Sequence, residues 1–332
     1  MKKLRIGMVG MGFIADWHYQ GFADNPEAEI VAMTQDLYGN EEKQQDLLRR
    51  LHEKCKQWNI QAIDSFDEMV THPDIDALII GSINPLHFEQ IKKAIVNKKQ
   101  LMVEKPVVLN MGHMSSVKTH VKESGIKLFP AHNFVYRNAV IKAKEIIDQG
   151  KIGKIVQASF IITHTISHEH AAGWRTKKEL AGGGALIESG LHLVYQSLFL
   201  LGKPVKVQAF ISNLALKQLE GEDIAQLNLL YPDKSLAFIM QSWASNFGNS
   251  SNGIRIIGDK GEIAITDGLY LNGEKLDSEV EYGSTFINQA RAFTDYIFHN
   301  KSPLSTLDDA EDTLNIIQCA YRSAEEDKVI HL

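Results

Sequence analysis

The chain has 332 residues, and its 35 Lys plus Arg against 41 Asp plus Glu give a formal net charge of −6. That mild acidity argues against a protein built to grip a phosphate backbone, and 44 % hydrophobic residues exclude a disordered chain. A chain of this size buries roughly three quarters of its surface on folding, enough for one large or two ordinary domains without a disulfide framework; Cys55 and Cys319 read as reduced thiols.

Residues 4–9 form a continuous apolar run that reads as a buried strand, and 15–23 reads as a helix. Further strand runs fall at 29–34, 62–63, 77–80 and 101–103, with helices predicted over 40–57 and 85–98. Strands of this kind, alternating with helices, predict a parallel sheet covered on both faces. The opening MKKLRIGMVG imitates a signal peptide, but the run is glycine-rich and breaks at Asp16. No uninterrupted apolar run has the length of a membrane span, so a cytoplasmic protein with no membrane partner is expected.

Past residue 128 the pattern changes. A helix predicted over 139–149 stops at Gly150, and strand runs follow at 155–163, 205–211, 224–231, 236–243 and 253–257. Several alternate, as in Ala225, Leu227 and Leu229 against Gln226 and Asn228, and short polar turns join them, which predicts an antiparallel sheet. Helices are predicted again over 286–298 and 307–324. The expected organisation is two domains, 1–128 and 129–332.

Three motifs carry chemistry. Gly10-Met11-Gly12-Phe13-Ile14-Ala15 is G-x-G-x-x-A between the first strand and the first helix. The first glycine makes the tight turn, the second lets backbone approach a pyrophosphate, and the helix N-terminus supplies N–H groups to it. The ribose reader belongs about 20 residues on, at Gln35 or Asp36. An acidic Asp36 with no Arg or Lys before Lys43 favours NAD, with NADP kept open. Second, Glu104-Lys105-Pro106 ends a strand run, at the sheet edge where ligands bind. Third, Gly182-Gly183-Gly184 leads into a helix start carrying Glu188 and His192 four residues apart, so the carboxylate can set the imidazole tautomer. Alone, the last two read as an exposed charge pair before a turn and as a capped helix whose His is a core polar group. His164, His168 and His170 have a ligand-like spacing without an evident fourth ligand, so no metal is expected.

Together, in this order, these motifs resemble the Gfo/Idh/MocA family of NAD(P)-dependent oxidoreductases, along RIGMVGMGFIA, SINPLHFEQIKKAI, MVEKPV, GKIGKIV, GWR, GGGALIESGLHLV and AYRSAEEDKVIHL. The resemblance implies an α/β N-terminal Rossmann domain and an α+β C-terminal domain on a large, mostly antiparallel, open-faced sheet. It implies hydride transfer between a nicotinamide cofactor and a sugar or polyol, with Lys105, His192 and Glu188 as catalytic residues. Glu188 stands where most members have Asp, Tyr195 where a second Asp is common, and Val135, with Arg137 close by, where some carry Arg. Gly10, Gly12, Phe13, Ile14, Ser82, Asn84, His87, Glu104 and Arg175 match cofactor positions. Asn133, Tyr136, His168 and Trp174 fall in the loops expected to meet substrate. The resemblance also implies a homodimer or homotetramer through the open sheet face. Two rivals share the fold: a cofactor-binding regulator without turnover, and a glycosidase that oxidises and re-reduces with bound NAD.

Overall fold

The computed structural model describes residues 3–167, 169–246, 251–277 and 281–332. They form two compact units, the first built from the chain up to Val108 with Gly112–Asn133 and Tyr282–Leu307, the second from Leu109–Met111, Phe134–Glu281 and Asp308–Leu332. The units therefore interleave in sequence, where a single crossing near residue 128 was expected.

The first stretch runs β1 (Leu4–Val9), α1 (Phe13–Ala23), β2 (Ala28–Thr34), α2 (Glu41–Trp58), β3 (Gln61–Ala62), α3 (Phe66–Thr71), β4 (Ala77–Ile80), α4 (His87–Val96), β5 (Gln100–Val103), α5 (Met111–Ser124) and β6 (Leu128–Pro130). All six strands pair in parallel, in the order β3-β2-β1-β4-β5-β6. β6 was not anticipated, because three residues ending in proline carry little strand signal. The continuous apolar character has the expected consequence: Ile6, Met8, Leu78, Ile79, Ile80 and Met102 are at most 1 % exposed. The chain order reverses between β1 and β4, which is where a doubly wound sheet opens a ligand crevice at its strand ends.

The rest runs α6 (Asn138–Asp148), β7 (Ile155–Thr163), α7 (Lys178–Ala181), a π turn at Leu186–Gly190, α8 (Leu191–Leu201), β8 (Lys206–Ser212), β9 (Ile224–Leu230), β10 (Leu236–Ser242), β11 (Gly253–Gly258), β12 (Glu262–Ile265), β13 (Leu269–Leu271), β14 (Glu274–Asp277), α9 (Tyr282–His299), α10 (Leu307–Glu326) and β15 (Ile330–His331). Nine strands pair in the order β14-β13-β12-β11-β7-β10-β9-β8-β15, antiparallel except for β7 with β10. On β9 and β10, Ala225, Leu227, Leu229, Ala237 and Ile239 face a buried side. Their neighbours Phe238 and Met240 are half-buried, and Leu236 and Phe210 are exposed.

α9 joins the first unit. A Cβ added at Gly21 of α1 would sit 2.8 Å from the Phe286 carbonyl oxygen, so only glycine lets the two helices approach this closely. Phe293 of α9 then packs edge-on against Phe22 and Phe129, with ring centroids at 6.3 and 5.7 Å. In the second unit, the run Lys178–Leu201 is long and apolar enough to cross a membrane by length and mean hydropathy, although Lys178, Glu179, Glu188 and His192 interrupt it. It is broken into α7, the π turn and α8, and most of it is buried inside the protein.

Candidate active site

The glycine turn sits where β1 ends. Gly10 takes a φ of +97°, and a Cβ there would meet the Gly81 carbonyl oxygen at 2.4 Å, so the β1 and β4 strand ends touch backbone to backbone. Gly12 is the N-cap of α1 and offers no capping side chain, while a Cβ there would meet nothing within 4 Å. Phe13, beside it, is 74 % exposed. An uncapped helix N-terminus with open space before it fits a pyrophosphate.

Gln35 and Asp36, the two positions expected to read a ribose, have different partners. The Gln35 side chain turns back: Oε1 accepts from Met11 N at 2.9 Å, bracing the glycine turn, and Nε2 donates to the Asp36 carbonyl at 2.9 Å. The Asp36 carboxylate accepts from Gln90 Nε2, 3.0 Å from each oxygen. Gln90 is oriented in turn by Ser82, whose hydroxyl donates to Gln90 Oε1 at 2.6 Å. Burial pushes the Asp36 carboxyl above its ordinary range, against the pull of Gln90 and His87. Asn84 is buried at 7 % exposure. His87 is fully buried, with Nδ1 3.0 Å from the Pro106 carbonyl oxygen and Nε2 3.1 Å from that of Ser82, so it ties together the two loops at the strand ends.

Glu104 and Lys105 end β5. Glu104 Oε1 lies 2.8 Å from His18 Nε2 of α1, and its Oε2 accepts from Lys105 N at 3.1 Å. Burial raises the Glu104 carboxyl, but the His18 hydrogen bond and charge, with the Lys105 charge, bring it below the ordinary range. It is therefore a buried anion that fixes the backbone from which Lys105 projects. His132 is 1 % exposed, with Nδ1 2.7 Å from Ser305 Oγ; burial, then the Lys105 charge, push it down to about 3. A neutral imidazole therefore neighbours the Lys105 ammonium. Asn133 donates from Nδ2 to Thr285 Oγ1 at 3.1 Å and bonds the Tyr282 hydroxyl.

In the second unit the three glycines are a packing requirement. A Cβ at Gly184 would lie 2.0 Å from the Glu222 carbonyl oxygen, and one at Gly183 2.0 Å from the Tyr321 hydroxyl. The Glu222 carboxylate enters this gap and accepts from Gly184 N at 3.0 Å, Leu186 N at 2.8 Å and Tyr321 OH at 2.9 Å. It thus anchors the start of the run that carries His192.

The π turn alters the phase that a regular helix would give Glu188 and His192. Glu188, 7 % exposed, pairs with Arg175 Nε at 3.1 Å, and the Arg175 guanidinium lies 4.3 Å from the centroid of half-buried Trp174. His192 Nδ1 is met by the Tyr195 hydroxyl at 2.6 Å. Phe134 stacks on the imidazole at 4.4 Å and 25°. Tyr136 is 2 % exposed. His168 lies outside the described residues. His170 stands edge-on to Trp243 at 6.3 Å, and burial lowers His164. A Glu27, Asp295 and His299 group has donor atoms within 4.8 Å of one another, but its charges are already met by the His299–Glu27 and Lys301–Asp295 pairs.

His18, Gln90 and Glu222 were missed in the sequence. Gln90 stands in the motif SINPLHFEQIKKAI, one face-turn beyond His87, which is the one signal that could have found it. His18 and Glu222 meet partners 86 and 38 residues away, and no local pattern reports such distances.

Residues 4–132 match the model of the oxidoreductase family with an NAD-binding Rossmann fold, and residues 140–264 match the GFO/IDH/MocA C-terminal domain. The chain is similar to 1,5-anhydro-D-fructose reductase of Ensifer adhaerens, at 25 % identity over 61 % of this chain and 60 % of that protein. It is similar to myo-inositol 2-dehydrogenase of Thermotoga maritima, at 23 % identity over 99 % of this chain and 98 % of that one. The match to the reductase spans about three fifths of that relative's length. Among solved structures, levoglucosan dehydrogenase in complex with NADH and levoglucosan superposes with a TM-score of 0.87 at 20 % identity, covering 99 % of each chain. The fold is shared throughout, and the NAD-binding Rossmann match falls on residues 4–132, which include the glycine turn and Asp36.

Proposed function

Because the chain belongs to the GFO/IDH/MocA family of oxidoreductases, we propose that it transfers a hydride between NAD and a hydroxyl-bearing carbon of a sugar, polyol or sugar derivative, with Lys105 and His192 handling the proton. Bound NAD supplies the redox chemistry. The chain's own residues do the rest. The glycine turn of Gly10, Gly12, Phe13 and Ile14 holds the pyrophosphate and Asp36 the ribose diol. Ser82, Asn84 and His87 shape the nicotinamide side. Lys105 binds the reacting oxygen and favours its alkoxide, and His192 accepts the hydroxyl proton on oxidation and returns it on reduction. Asn133, Tyr136, His168 and Trp174 belong to the substrate loops in this reading, and Glu188 with Arg175 braces them.

The single observation carrying this reading is the Glu104 anchor. A buried carboxylate, bonded to His18 at 2.8 Å and to the Lys105 backbone at 3.1 Å, fixes a lysine at the end of a Rossmann strand. A regulator that only senses cofactor has no need of a lysine held there. The reading also carries a cytoplasmic location and self-association through the half-apolar sheet face of Phe210, Leu236, Phe238 and Met240. Spectrophotometric screening of inositols, aldoses, their lactones and anhydrosugars with NAD and NADP tests it. Net NADH from at least one polyol or aldose is expected. A full panel with no net NADH, or glycan cleavage without it, would remove the dehydrogenase reading in favour of a regulator or a redox-assisted glycosidase.

A further inference from the structure

We infer that Tyr195 is the positioning residue for His192, and that its phenol supports the imidazole in either neutral tautomer. Tyr195 is 1 % exposed and lies one turn beyond His192 on α8. Its oxygen accepts from Phe134 N at 3.1 Å and lies 2.6 Å from His192 Nδ1. The same residue that donates this N–H also stacks its ring on the imidazole. One backbone segment therefore holds both the face of His192 and the oxygen at its edge.

A hydroxyl is donor and acceptor, whereas a carboxylate only accepts. With Nδ1 bare, the Tyr195 O–H donates to it and Nε2 carries the proton. With Nδ1 protonated, its N–H donates to the Tyr195 oxygen, and the Nε2 lone pair takes the proton of a substrate hydroxyl. That transfer makes the imidazolium, and giving the proton back restores the neutral ring. The phenol thus accompanies the proton in both directions. A carboxylate at the same place would pin the Nδ1–H tautomer and favour the imidazolium throughout.

Among the described residues, the charged and titratable groups on and around this helix include Tyr195 itself, Glu188 paired with Arg175, Arg137 just before α6, 5.8 Å from the Phe134 ring centroid, and Lys142, Lys144, Glu145 and Asp148 of α6, which packs on α8. β7, which packs on α8, brings no titratable side chain.

The inference rests on the acid/base reading of His192 for its consequence, but its test does not need turnover. Histidine ¹⁵N resonances of the whole chain are followed against pH, with His192 assigned by their loss in His192→Asn. In the wild type the two nitrogens should show mixed tautomers. Tyr195→Phe, which keeps the ring, should change the tautomer balance. Tyr195→Asp should fix the Nδ1–H form and raise the ring's titration midpoint by about one unit or more. In kcat/KM for oxidation, the acid limb of Tyr195→Asp should move up by the same amount. Unchanged His192 shifts and midpoint in Tyr195→Phe would overturn the inference, and that variant alone decides if Tyr195→Asp does not fold. Full turnover in His192→Ala would instead remove the acid/base reading and leave the Tyr195 coupling standing.

Discussion

Gln90 donates its Nε2 to both oxygens of Asp36 at 3.0 Å while its own Oε1 is held by the Ser82 hydroxyl. The carboxylate just past the end of β2 is therefore held in place by protein groups, and in the proposed reading it meets the ribose and its charge opposes a 2′-phosphate. Asp36→Ala should weaken NADH binding about tenfold or more, the loss of a charge-assisted hydrogen bond, and narrow the preference over NADPH. Gln90→Leu should cost less, since the carboxylate remains. Burial raises the Asp36 carboxyl, so acidification should protonate it earlier than an ordinary aspartate. NADH affinity should then fall with pH while discrimination against NADPH relaxes. Fluorescence titration with both reduced cofactors across pH measures each effect; equal affinity for NADH and NADPH in the wild type would contradict them.

Two glycines should fail in opposite ways. Gly12→Ala adds a Cβ to open space, so the melting temperature should hold while NADH binding drops, because the methyl occupies the approach to the helix N-terminus. Gly184→Ala drives a Cβ into the Glu222 backbone at 2.0 Å and should destabilise by roughly 2–4 kcal/mol. Thermal melts with and without NADH separate the two. A destabilised Gly12→Ala with normal NADH affinity would reverse the assignment.

His132 should make the protein acid-sensitive. Its folded-state value, about 3, lies below the ordinary 6.5. Below 6.5 the unfolded chain binds a proton that the folded chain refuses, so stability falls as pH drops. Between pH 7 and pH 5 the loss should be about 2 kcal/mol. His132→Gln removes the titration and should flatten that part of the urea-midpoint profile. A wild-type slope retained in the variant would assign the acid sensitivity to other groups. Glu104 adds to the loss at lower pH, since a depressed carboxyl stabilises above its unfolded value and loses that contribution on protonation.

Much of the first unit was legible because its signals are local. A glycine turn after an apolar run, and strands alternating with helices, each lie within one stretch of chain. The Glu104-Lys105-Pro106 and Gly182–His192 motifs were legible for the same reason. The partners that orient them were not. Glu104 finds His18 across the sheet, Gln35 bends back to Met11, and Glu222 enters the glycine gap from a different strand. Residue spacing gave no sign of the Arg175 partner of Glu188, and the π turn before His192 leaves no mark in composition. α9 was legible as a helix but not as part of the first unit. An amphipathic pattern reports that a face is buried, not which core it covers, and the deciding feature was the glycine at position 21.

The central claim is that Lys105 and His192 handle the proton of a hydride transfer to NAD. It is tested most directly by measuring turnover and NADH dissociation constants side by side for the wild type, Lys105→Ala and His192→Ala on the best substrate of the panel. Both variants should bind NADH within about threefold of the wild type and lose at least about a hundredfold in kcat, the usual scale of a general acid/base group. Near-normal kcat in either variant would contradict the account.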